Sequence, residues 1–175
     1  GGLVSQDCGA AILVARAQRK LKNFAAARAA LAAAPPSSCS PDQLRRAQYL
    51  DIRLATLQQA PDCERLVAAF AERWGTDSFV DDVLVWLEEV RAASGDQAGA
   101  RALLERIAAE HPAGDMADEA RFRLAMGLAV EGQAQRARGV LEDGVPHQQA
   151  AAVPRPLLAD RARYWAARLR ALPDP

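Results

Sequence analysis

One stretch of this chain is written twice, and that repetition constrains the fold more than anything else in it. Ser78 to Pro112 and Asp115 to Asp143 align when 37 is added to each number in the first copy. Val83 then falls on Ala120, Leu87 on Leu124, Gly95 on Gly132, Ala100 on Ala137, Arg101 on Arg138 and Leu104 on Leu141. A fixed period in this range marks stacked supersecondary units, none of which can bury its apolar face alone. The logic of the unit is legible in its second helix. Gly95-Asp96 and Gly132-Gln133 mark a tight turn, and Ala100 and Ala137 are small where two helices must cross closely. Leu104 and Leu141 fill the groove between neighbours.

The remaining segments read as helices too. Asp7 is a good N-cap for a helix to about Lys22, with Ile12, Val14 and Ala15 on its apolar face. Phe24 to about Ala34 is nearly pure alanine and stops at Pro35-Pro36. Ser40-Pro41-Asp42-Gln43 has the form of a capping box, followed by Leu44, Ala47, Leu50, Leu54 and Leu57 at helical spacing. A fourth helix starts around Pro61-Asp62 and runs to Gly75, and the doubled stretch supplies helices at about 78–93, 96–110, 115–131 and 133–143. Gly144-Val145-Pro146 then opens a Gln/Ala/Pro-rich connector that reaches Pro156, ahead of a last helix from Leu157 to about Leu172. Nothing alternates with period two over a useful length, so the fold class is all-α. Because 50% of the residues are hydrophobic but only 5% aromatic, the core is expected to be thin and made of Leu, Ala and Val.

Several function classes fall away. The 22 basic and 22 acidic residues cancel, which argues against a nucleic-acid binder held by a basic surface. No apolar run approaches the roughly 20 residues that span a bilayer, so direct membrane insertion is not expected. Gly1-Gly2-Leu3-Val4 lacks the charged start and long apolar stretch of a signal peptide, and it reads equally as the remnant of a longer chain. Carboxylates cluster at Asp81-Asp82, Glu88-Glu89 and Asp118-Glu119; the first and last of these sit at helix starts, where they complement the helix dipole rather than form an acid–base pair. His111 reads as a helix-ending cation and His147 as a loop residue. No Gly-rich phosphate loop follows a strand. No catalytic residue, metal site or cofactor is expected.

Cys8, Cys39 and Cys63 include no CxxC pair, which disfavours zinc. If the first two helices form a hairpin, Cys8 and Cys39 flank the same end and Cys63 begins the fourth helix at the opposite end. A disulfide needs its Cα atoms within about 7 Å, which makes Cys8–Cys39 the pairing to expect. Three free thiols in a cytosolic protein are the alternative.

The doubled pattern resembles the tetratricopeptide repeat, in the degenerate form found in bacterial envelope proteins. Gly95, Ala100, Leu104 and Pro112 fall on the family's positions in one copy, and Ala120, Phe122, Leu124, Ala125, Gly132, Ala137 and Leu141 in the next, where Gln149 replaces the terminal proline. Val14, Ala15, Ala27 and Leu31 fit a copy beginning near Cys8, whereas 41–75 has no glycine at its turn. The resemblance implies one domain over 1–175: a right-handed α-solenoid with units near 8–39, 41–75, 78–112 and 115–150 and a capping helix at 156–172. It implies a concave groove lined by first-helix residues, here Asp82, Val85, Glu89, Glu119, Phe122, Met126 and Val130. Met126 suits an adaptable contact, or else belongs to the core. The same choice applies to Phe70, Trp74, Phe79, Trp86, Phe122, Tyr164 and Trp165. The expected function is non-catalytic binding of a partner protein or peptide by an exported protein of the periplasm or outer membrane; a cytosolic regulatory or oligomerisation domain is the competitor. Arg161 to Leu169 also looks like helices in the superhelical, non-catalytic domain of soluble lytic transglycosylases, whose catalytic Glu-Ser pair has no counterpart in this chain.

Overall fold

Several helices begin where a side chain satisfies one of the first N–H groups. The computed structural model describes residues 7–75, 77–150 and 156–171, and every regular element among them is helical. In α1 (Cys8–Lys20) the Ala10 N–H donates to Asp7 at 2.8 Å. Then follow α2 (Phe24–Ala32), a 3-10 turn at Pro36–Ser38, and α3 (Pro41–Leu57). The capping box of α3 is complete: Gln43 N–H donates to Ser40 Oγ and Ser40 N–H to Gln43 Oε1, at 3.3 and 2.9 Å. Helices α4 (Cys63–Trp74), α5 (Val80–Ser94), α6 (Gln97–Glu110), α7 (Ala117–Val130), α8 (Ala134–Ala150) and α9 (Pro156–Arg170) complete the described chain. Such caps are worth about 1 kcal/mol each.

Four of the turns between helices share one geometry. Lys22 (φ 61°), Gln59 (φ 49°), Gly95 (φ 90°) and Gly132 (φ 80°) are left-handed, spaced 37, 36 and 37 residues apart. The next residue donates five positions back in every case, Asn23 to Gln18, Ala60 to Ala55, Asp96 to Arg91 and Gln133 to Leu128, at 2.9–3.0 Å. The left-handed residue itself donates three back, at 3.0–3.1 Å. Together these bonds are the Schellman closure, which satisfies the last carbonyls of a helix. Segment 41–75 therefore carries the same turn as the doubled stretch, without its glycine. What differs is the helix that follows. Ala100, Leu104 and Ile107 lie at the same offsets from their turn residue as Ala137, Leu141 and Gly144, whereas the buried Cys63, Val67 and Phe70 of α4 come one position earlier.

The helices divide into two compact units, residues 1–90 and 91–175. In the first, α1 packs on α2 and α3, and α3 on α4, around Ala15, Ala27, Leu50 and Leu54, with Phe24, Ala30 and Leu31 against them. Helix α5 is enclosed almost all round: Val80, Asp81, Val83, Leu84, Val85, Leu87 and Glu88 are buried. In the second, α6 packs on α7, α7 on α8 and α8 on α9. Each large apolar side chain so buried contributes about 1.5–3 kcal/mol.

The connector expected from Gly144 is where sequence and structure part. Helix α8 runs through Gly144, Val145, Pro146 and His147 to Ala150, so His147 is helical. A proline inside a helix removes one hydrogen bond and crowds the preceding turn. Tertiary packing outweighs that here. Val145 and Glu142 line a small cleft with Ala162, Ala166 and Arg170 of α9, and Arg170 donates to Glu142 at 2.6 Å. Gly144 is buried beneath Arg121, whose Cδ an added Cβ would meet at 2.9 Å. Residues 151–155 and Leu172 lie outside the described residues. Val14, expected on the apolar inner face of α1, is instead 47% exposed.

Candidate functional site

Arg45, Tyr49 and Arg53 recur every four residues along α3 and therefore share one face. Opposite them stand Phe79, just ahead of α5, and Asp82, Trp86 and Glu89 on it. The aromatic rings form a ladder: Tyr49 stacks on Phe79 with centroids 4.5 Å apart and meets Trp86 at 4.8 Å. The guanidinium of Arg45 lies 5.0 Å over the Phe79 ring, and that of Arg53 4.7 Å over Trp86. Carboxylates fix the polar ends. Tyr49 Oη donates to Asp82 at 2.9 Å, Arg45 pairs with Asp42 and Asp77, and Arg53 lies 3.9 Å from Glu89. Hydrogen bonding to Asp77, with a smaller share from Asp42, holds the Arg45 pKa above its ordinary value. The ladder is half-buried, and beside it Arg53, Thr56, Leu57, Gln59, Trp86 and Glu89 line a recess of about 160 Å³.

The second unit builds a related cluster from α7 and α9. Arg161 lies 4.2 Å over Phe122 and donates to Glu119 at 3.2 Å, while Arg123 donates to the same carboxylate at 3.0 Å. Burial opposes ionisation of Glu119, but the two arginines outweigh it and hold its pKa below the ordinary value. Trp165 approaches Phe122 at 6.3 Å and Tyr164 edge-on at 5.6 Å, with Tyr164 mostly in solvent.

The seven residues expected to line a groove thus have different settings. Asp82 and Glu89 belong to the first cluster, Glu119 and Phe122 to the second. Met126 is half-buried, and Val130 is 89% exposed at the end of α7. Val85 is fully buried and presents no surface; one residue before Trp86, it turns about 100° away from the ladder. Sequence reading missed Arg45, Tyr49 and Arg53, although their four-residue spacing on α3 was the available signal.

A cleft of about 650 Å³ opens in the first unit, walled by alanines of α1 and α2, Leu44 and Leu66, with Cys8 and Cys39 in its lining. Those two cysteines are joined in a disulfide, and Cys63 is a free, buried thiol whose pKa burial pushes up. At the polar edge of the cleft Arg28 forks between two carboxylates, donating to Asp62 and to Asp51 at 2.7 Å each. The hydrogen bond from Arg28 lowers the Asp62 pKa. Among the described residues no group of three or more His, Cys, Asp or Glu is placed to hold a metal ion.

The second unit also holds a buried ion pair. Arg121 and Asp118 lie 3.5 Å apart with side chains 6% exposed, and Arg121 also reaches the carbonyls of Ala108 and Pro112 where α6 ends. Burial pushes the Arg121 pKa down, against the pull of Asp118 and Asp143. No protein-family model, no curated protein and no solved structure matches this chain.

Proposed function

We propose that the chain is a non-catalytic interaction module, a tetratricopeptide-like array that binds a partner protein or peptide on surfaces made by the first helices of its units. The ladder of Tyr49, Phe79 and Trp86 with Arg45 and Arg53 carries this reading. Trp, Tyr and Arg dominate binding energy at protein interfaces. Held by stacking and ion pairs before any partner arrives, they lose little side-chain freedom on binding. The left-handed turn residue at 22, 59, 95 and 132 supports the repeat reading through 41–75, and a right-handed solenoid with α9 as its cap is the arrangement such units adopt. The Cys8–Cys39 disulfide favours an oxidising compartment, hence an exported protein of the bacterial periplasm or outer membrane.

Selecting a random peptide library on the immobilised chain tests this directly. An enriched peptide is expected to lose at least about tenfold in affinity against Trp86→Ala, and less against Glu89→Ala, in variants that circular dichroism shows to be folded at the assay temperature. A library that enriches nothing, or peptides indifferent to Trp86, overturns the assignment of the surface.

A further inference from the structure

The outer face of α1 carries basic and apolar side chains with no carboxylate among them. Between Cys8 and Pro41 the sequence contains no Asp or Glu, yet it carries Arg16, Arg19, Lys20, Lys22 and Arg28. In a chain whose charges cancel overall, this segment is a basic pole. Arg28 is neutralised by Asp51 and Asp62. Arg16, Arg19, Lys20 and Lys22 are exposed and make no ion pair among the described residues. Interleaved with them are apolar side chains that point outward: Leu13 is 65% exposed, Leu21 67% and Val14 47%.

Helical rotation explains the grouping. At 3.6 residues per turn, Leu13, Ala17 and Leu21 fall on one line with Val14 beside it, and Arg16 and Lys20 run along its flank. The opposite face, Cys8, Ala11, Ile12 and Ala15, is buried on α2 and α3, and the disulfide to Cys39 ties its start in place. The face is thus rigidly presented, not a helix that must fold to act.

We propose that this face docks on an anionic lipid surface. Charge complementarity selects an anionic partner, and the outward leucines select one with an apolar layer beneath its charge. A lipid surface fits better than an acidic protein segment: none of Leu13, Val14 or Leu21 lines the cleft, and the face offers no aromatic anchor of the kind protein partners use. Flexible Lys and Arg heads adapt instead to mobile phosphates. The contact is peripheral, since no described helix is long and apolar enough to cross a membrane. It is independent of the ladder on α3 and α5.

Sedimentation of the disulfide-intact chain with lipid vesicles tests it. Vesicles of phosphatidylcholine with about 30 mol % phosphatidylglycerol are expected to bind the chain at about 0.1 M salt and release it at about 1 M, whereas pure phosphatidylcholine binds it weakly. Arg16→Gln with Lys20→Gln should weaken binding about 30-fold, at roughly fivefold per cation, and Leu13→Ser with Leu21→Ser several-fold. All four positions are exposed, so unchanged melting temperatures are expected to accompany these losses. Equal binding to both vesicle types, no binding to the anionic ones, or indifference to the substitutions overturns the proposal. Binding to polyglutamate but not to anionic vesicles overturns it in favour of an acidic protein partner.

Discussion

Helices α5 and α7 occupy the same place in the repeat, yet they are held by different forces. Asp81 and Asp118 are equivalent and both buried, at 1% and 7% exposure, so the register of the two first turns is shared. Three residues on, α5 has Leu84, fully buried, where α7 has the buried Arg121. Next come Val85, without surface, against Phe122 beneath Arg161, and then Trp86 in the ladder against Arg123 on Glu119. One backbone unit therefore accepts an apolar filling or a buried ion pair at a single position. What the repeat conserves is where a side chain points, and not the chemistry it brings.

The sharpest way to break this comparison is at Arg121. Arg121→Ala removes the guanidinium that faces Asp118 and strips the carbonyls of Ala108 and Pro112 of their donor. Removing one member of a buried pair costs about 3–5 kcal/mol. Replacing the pair instead, as Asp118→Asn with Arg121→Leu, supplies the leucine that α5 uses at Leu84 and should recover part of that loss, because no buried charge is left unpaired, while the carbonyls of Ala108 and Pro112 still lack their donor. Urea denaturation reads both. If the double variant is no more stable than Arg121→Ala, the two helices are not interchangeable at this position.

A smaller effect separates the carboxylates that follow. Asp82 accepts from the neutral hydroxyl of Tyr49, whereas its counterpart Glu119 accepts from two guanidiniums. The folded-state pKa of Glu119 is depressed below its ordinary 4.5, so its contribution is present above that pH and lost as the pH falls through the folded value. Because the side chain is 34% exposed, solvent screening keeps the effect under about 1 kcal/mol. The melting-temperature gap between the wild type and Glu119→Gln is expected to be constant near neutrality and to close below pH 4.5. A gap that does not change with pH removes the ion-pair account.

Much of this architecture was legible in the residues. The capping box at Ser40 and Gln43, the cap at Asp7 and the turn glycines at 95 and 132 are local signals, and local hydrogen bonds answer them. The extension of α8 past Gly144 was not legible, because Pro146 is a local stop signal overruled by packing against α9 and Arg121. The ladder was half legible. Glu89 and Asp82 could be placed by period, but the partners on α3 come from a segment whose repeat frame was obscured by the missing glycine. That one absent residue hid both the turn and the face opposite α5.

Gln59 tests whether the hidden turn is truly equivalent to the visible ones. It sits at φ 49° where Gly95 and Gly132 sit at 90° and 80°. A left-handed conformation costs a residue with a Cβ about 1–2 kcal/mol, which glycine avoids while losing more backbone entropy on folding. Gln59→Gly should therefore stabilise the chain by up to about 1 kcal/mol. Gly95→Ala and Gly132→Ala should each cost about 1 kcal/mol, through conformation alone, since a Cβ at either glycine meets nothing within 4 Å. The effects are small because the Schellman bonds themselves are main-chain bonds that all three variants keep. Thermal melts of the three variants decide the point: opposite signs at 59 and at 95 and 132 make the segment 41–75 a repeat that has lost its glycine, whereas a destabilised Gln59→Gly means that its side chain supports the turn in a way the others never needed.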